Sequence, residues 1–139
     1  MKLRVAAIGH DEYWLNAVHN ATADWVGETP TVKCGGELLK CISRLPKPSI
    51  RTILLVDASG QGDMEQVVEV LRTRGWKYVI VVAADPSAKE ATAVLRRNLG
   101  YDYWEKTYEE AEIRERIKTC FEELQVKKEM MKQHHTSFE

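Results

Sequence analysis

Thr52-Ile53-Leu54-Leu55-Val56-Asp57 is the stretch from which the fold is read. Its first five residues are β-branched or leucine with no polar alternation, which is the pattern of a strand covered on both faces in a parallel sheet. Asp57 stands at its end. Tyr78 to Ala84 repeats the pattern, and Leu3 to Ile8 gives a third such run that stops at Gly9. Thr31 to Cys34 and Asp102 to Glu105 are short enough to be edge strands. Between these runs the apolar residues change to a helical period. Leu15, Val18, Ala21 or Thr22, and Trp25 line a helix over about 12–26 with Asp11 as its N-cap. Leu38, Leu39, Ile42 and Leu45 make a short helix closed by Pro46 and Pro48, and Met64, Val67, Val68 and Leu71 line another that ends at Gly75. Asp85-Pro86-Ser87 opens a helix with Ala88, Ala91, Leu95 and Leu99 on one face, closed by Gly100. From Glu109 the steps Ile113, Ile117, Cys120 and Leu124 describe a last helix reaching about His134.

Five strands alternating with helices, joined by right-handed crossovers, give a three-layer α/β/α domain around a five-stranded parallel sheet. A length of 139 residues suits one domain, here about 1–124, followed by a helical extension or tail over 125–139. Twenty basic against twenty-one acidic residues leave no positive field for a nucleic-acid backbone, so direct nucleic-acid binding is not expected. The apolar runs fall far short of the roughly 20 residues that cross a bilayer, and the N-terminus has no signal-peptide pattern, so a cytoplasmic protein without membrane contact is expected. Cys34, Cys41 and Cys120 are odd in number and match neither a zinc nor a redox spacing, so all three are expected to be reduced packing residues.

In open parallel sheets, sites form outside the carboxyl ends of the strands. Those ends carry Gly9-His10-Asp11-Glu12, Asp57, Ala83-Ala84-Asp85 and Lys106. Carboxylates and a lysine on one rim suit an anionic ligand held with Mg²⁺. Asp11 and Glu12 read equally well as ligands or as charges favouring the start of the first helix. His10 reads as a loop residue with a titratable ring, and Trp104 as packing or an aromatic anchor.

Over residues 1 to 124 the chain resembles the receiver domains of bacterial response regulators. Leu54-Leu55-Val56-Asp57 is similar to the strand that ends in the phosphorylated aspartate, and Gly100-Tyr101-Asp102-Tyr103-Trp104-Glu105-Lys106 to the segment that ends in the family's lysine. The resemblance implies a flavodoxin-like sheet of order 2-1-3-4-5, Asp57 as phosphoacceptor, Lys106 as the contact to the acyl phosphate, and Tyr103 as the switch aromatic. It implies Mg²⁺ on Asp11, Asp57 and Ser59, with Glu12 as a further ligand. A histidine kinase or phosphotransfer protein would be the phosphodonor, and an effector would dock on the helix over 86–99, the fifth strand and the last helix. That last helix could instead pair two copies of the chain. The output would be protein contact, not enzymatic turnover. The chain departs from the family in four places, one of them Ala58-Ser59-Gly60 in place of the typical residues after the acceptor. Gly9-His10 stands where two acids are usual, Ala83 aligns with the hydroxyl-bearing switch residue, and Thr107 replaces the proline after the lysine. A phosphorylation-independent pseudo-receiver used for docking or dimerisation is therefore the competing expectation. A nucleotide-binding or small enzymatic domain has less in its favour, because neither a glycine-rich phosphate cradle nor a Ser-His-Asp or Cys-His set occurs at the strand ends.

Overall fold

The computed structural model describes residues 4–24, 29–48, 52–59, 64–83 and 102–136. Its elements are β1 (Arg4–Gly9), α1 (Glu12–Thr22), β2 (Thr31–Lys33), α2 (Leu38–Cys41) running into a 3₁₀ turn (Ile42–Arg44), β3 (Thr52–Asp57), α3 (Met64–Thr73), β4 (Tyr78–Ala83), β5 (Asp102–Glu105) and α4 (Glu110–Thr136). The strands form one sheet of order β2-β1-β3-β4-β5, parallel at every pairing, which is the flavodoxin-like arrangement. The helix expected over 86–99, the Gly60–Gly62 loop, Trp25, Ala84 and Asp85 lie outside the described residues.

The absence of polar alternation in β1 and β3 follows from covering both faces. Successive side chains point to opposite sides. Ala6, Ile8, Leu54 and Val56 pack with α2 and α3, while Val5, Ala7, Ile53 and Leu55 pack with α1 and α4. Strand β5 divides in the same way, with Tyr103 on the first core and Trp104 on the second.

Asp11 caps α1, its Oδ1 accepting from the amides of Tyr13 (3.0 Å) and Trp14 (3.2 Å). The helix ends at Thr22, four residues before the expected Val26. Thr22 Oγ1 donates back to Val18 O at 2.9 Å and lies 2.5 Å from Thr29 Oγ1, so the returning chain is tied to the helix at that point. Helix α3 ends as its sequence implies. Gly75 takes a φ of +101°, and the amides of Gly75 and Trp76 return to Arg72 O and Leu71 O, a Schellman closure in which a side chain would be strained. Among the described side chains of α4, those buried are Ile113, Ile117 and Phe121, at a strict four-residue step. Cys120, expected on that stripe, is only half-buried, because four-residue spacing keeps Phe121 facing the sheet. The backbone of α4 continues as helix to Thr136, two residues past the end expected near His134. Among the described residues no helix is long and apolar enough to cross a membrane.

The expectation of three reduced cysteines fails at two of them. Cys34, just after β2, is joined in a disulfide to Cys41 at the end of α2, with Cα atoms 6.0 Å apart. The turn through Gly35, Gly36 and Glu37 folds the two residues onto each other, which a seven-residue spacing does not reveal. Cys120 takes no part in this bond.

Candidate functional site

At the carboxyl ends of β1, β3 and β5, three charged side chains meet. Asp57 closes the central strand and is 2% exposed. Lys106 follows β5, and its Nζ lies 2.9 Å from Asp57 Oδ2 and 2.9 Å from Asp11 Oδ2. The side chains of Lys106 and Asp57 are 6% and 3% exposed, so their pair is buried, and Asp11, 22% exposed, closes the cluster at the rim. Topology produces it. β3 lies between β1 and β4, and β4 pairs with β5 through Ile80↔Asp102 to Ala83↔Glu105, so residues just beyond the strands converge on one rim.

The remaining partners fix each carboxylate. Asp57 Oδ1 accepts the Ser59 amide at 3.0 Å. Asp11 spends Oδ1 on the cap of α1 and turns Oδ2 to Lys106 and to the Tyr108 hydroxyl. One acid therefore both caps a helix, as one of its two sequence readings expected, and belongs to the cluster. The Lys106 ammonium also lies 5.4 Å from the centre of the Tyr108 ring, within cation–π range. Gly9 is forced by proximity, since a Cβ there would stand 2.7 Å from Asp57 Cβ. Ser59 Oγ is buried and has no hydrogen-bond partner among the described residues.

The charges tune one another. Burial would raise the Asp11 carboxyl, but the hydrogen bonds from Tyr108, Lys106 and the Trp14 amide, with the lysine charge, overcome it and hold the group down to about 2. Burial opposes the charge on Lys106 as well, yet contacts with Asp57 and Asp11 raise it above the ordinary lysine range. The Tyr108 hydroxyl is also raised, chiefly by its bond to Asp11 and then by burial. A carboxylate whose folded pKa is depressed stabilises the fold above its unfolded value near 3.9, and that contribution disappears as pH falls toward 2. Tyr108→Phe removes the largest contact holding Asp11 down. Its acid-unfolding midpoint should therefore move to higher pH, with little change at pH 7, in a circular-dichroism titration from pH 7 to 2. An unmoved midpoint would mean that the Tyr108 bond contributes nothing.

Sequence reasoning placed Asp57, Lys106 and Asp11 in the site, and the structure brings all three together. Glu12 is not with them. It pairs with Lys33 at 3.1 Å on the surface, both side chains more than half exposed. Half-buried His10 sits at the rim, its Nε2 donating to Gly36 O. Tyr103 is partly buried against the core on the α2 and α3 side of the sheet, one strand position from Trp104. Ala83 ends β4 opposite Glu105 and brings no hydroxyl. Tyr108 was missed, and no local signal points to it, because its bond spans 97 residues of sequence. Among the described residues no group of three or more His, Cys, Asp or Glu side chains is placed to hold a metal ion. Beyond the lysine, β5 is fastened to α4 by Arg116, which donates to Glu105 O at 2.7 Å. Thr107 shapes the turn, its hydroxyl accepting from the Glu109 amide and donating to Glu112. Comparison of the chain with protein-family models and with curated proteins finds no match.

Proposed function

We propose that the chain is a receiver-like signal-transduction module of a two-component phosphorelay, with Asp57 as phosphoacceptor and regulated protein contact as output. The observation that carries this reading is the buried Asp57–Lys106 pair, 2.9 Å apart at the carboxyl ends of β3 and β5 of a 2-1-3-4-5 sheet. A carboxylate oxygen of Asp57 would attack the phosphorus of a phosphodonor, either a histidine kinase or a phosphotransfer protein. The donor's P–N bond breaks as the acyl phosphate forms. Lys106 is already held where the new oxygens need a counter-charge, and the product adds roughly one further negative charge with three acceptor oxygens. Lys106 also closes β5, so a change in its partners is passed to Tyr103 and Trp104 and to the first turns of α4. Those elements are the proposed docking surface for an effector or a second copy.

Receivers use Mg²⁺, and the donor set here suits an ion that arrives with the phosphodonor. Asp11 and Asp57 offer carboxylate oxygens from two strands, and after Lys106 the cluster keeps one net negative charge. Magnesium is commonly held by one or two carboxylates and completes its shell with water and phosphate oxygens. Ser59 adjoins the pair through its amide, whereas Glu12 is turned to Lys33. When bound, the ion would offset charge on the phosphoryl oxygens.

The pseudo-receiver reading has its own support. One oxygen of Asp11 is committed to the α1 cap and Ala83 supplies no hydroxyl, which favours an altered trigger and relay. Hydrogen exchange separates the two readings. With acetyl phosphate and Mg²⁺, amides of 102–106 and the first turns of α4 should change protection several-fold in the wild type and not in Asp57→Asn. Equal protection in both, with and without the phosphodonor, would favour the static docking domain.

A further inference from the structure

We propose that Cys34 and Cys41 are a reversible dithiol–disulfide pair, closed by a small oxidant, whose closure fixes the 35–37 turn against the rim of the carboxylate cluster. Three observations carry it. Their Cα atoms are 6.0 Å apart, inside the range a disulfide spans without backbone movement. The intervening turn is the kind of segment that can open, because Gly35, Gly36 and Glu37 are exposed and a Cβ added at either glycine would meet nothing within 4 Å. The same turn is wired to the site. Cys34 N donates to Gly9 O at 2.8 Å, His10 Nε2 donates to Gly36 O, and Gly9 is the glycine pressed on Asp57.

Burial defines the reactant. Cys34 is 2% and Cys41 8% exposed, so a protein thiol cannot reach them in the closed fold, whereas a hydroperoxide or a low-molecular-weight disulfide can when the glycine turn opens. With a hydroperoxide, one thiolate attacks the peroxide oxygen and the O–O bond breaks to release an alcohol or water. The second thiolate then displaces water from the resulting sulfenic acid to form the S–S bond. Two sulfurs are oxidised by two electrons in all, and both thiol protons leave on the released oxygens. A small dithiol reverses the bond and is itself oxidised to a disulfide. This chemistry does not depend on phosphoryl transfer at Asp57.

The full chain carrying Cys120→Ser is reduced, desalted while folded, and exposed to hydrogen peroxide or glutathione disulfide. It is then quenched with N-ethylmaleimide for intact mass and peptide mapping. The expected result is loss of two hydrogens, no maleimide on peptides containing Cys34 or Cys41, and full recovery of both thiols with dithiothreitol. Amide exchange at 35–37 should slow at least tenfold on closure. Cys41→Ser should be folded by circular dichroism and show none of these changes. The proposal is overturned by two maleimides after oxidation, by a bond that dithiothreitol leaves intact in the folded protein, or by equal exchange at 35–37 in the two states. Mass labelling at Asp57 is a separate readout, so a chain that cycles this disulfide but takes no phosphoryl group would sink only the phosphorelay reading.

Discussion

Lys106→Met lowers folding stability by about 3–5 kcal/mol at pH 7, the expected cost of removing one partner from a buried ion cluster. The lysine bridges two carboxylates, one of them 3% exposed, and methionine keeps the volume while deleting the charge. Asp57 would then retain the Ser59 amide, with Asp11 still nearby. A second change shows where the cost lies. Asp57→Asn in the Lys106→Met background should recover at least half of the loss, because the buried charge is gone. Urea denaturation of the two variants and the wild type at pH 7 measures both effects. A loss below about 1 kcal/mol would mean that the cluster is solvated and energetically idle.

Gly9→Ala should cost about 1–3 kcal/mol, the range for forcing extra volume into a packed interior. The added methyl would stand 2.7 Å from Asp57 Cβ, and that atom is the root of its side chain on the central strand. No rotamer change moves it, so β1 and β3 must shift. The usual gain from stiffening the unfolded chain, roughly 0.4–1 kcal/mol for Gly to Ala, offsets only part of this. Gly35→Ala is the matched control. It has open space around its Cβ and should stay within about 0.5 kcal/mol of the wild type in the same denaturation series. If Gly9→Ala is as neutral as Gly35→Ala, Asp57 is not pinned by this contact. If it is destabilised as expected, phosphoryl uptake at Asp57 should fall with it, since the carboxylate is displaced from Lys106.

The sheet was legible because residues buried on both faces leave an unbroken apolar run, as in Ile53 to Val56, and parallel strands then require crossovers. Asp57 and Lys106 were legible because strand ends in such a sheet share a rim. What escaped was set by tertiary contact. The Tyr108–Asp11 bond joins residues 97 apart, and the end of α1 depends on Thr29 returning to Thr22. The disulfide depends on a glycine turn that sequence spacing does not encode. Asp11 was ambiguous for a physical reason: its two oxygens do two different jobs, one on helix amides and one on the lysine. Phe121 escaped because Cys120 fits a three-then-four step equally well, and only packing against β1, β3 and β4 decides between adjacent positions.

The cluster also sets how the module would respond. Asp11 and Asp57 compete for one ammonium, so a phosphoryl group on Asp57 that claims Lys106 would leave Asp11 with Tyr108 and the α1 amides. Under the proposed phosphorylation the change would fall on the β5–α4 junction, which Arg116 and Thr107 hold together. That coupling would not require a hydroxyl at Ala83.

The most direct measurement is intact mass of the wild type and Asp57→Asn after incubation with acetyl phosphate or phosphoramidate, with and without Mg²⁺. The expected result is one phosphoryl mass added to the wild type, dependent on Mg²⁺, labile to hydroxylamine and absent from Asp57→Asn. A wild-type mass that never changes, or an equal gain in Asp57→Asn, would contradict the assignment of Asp57 as phosphoacceptor.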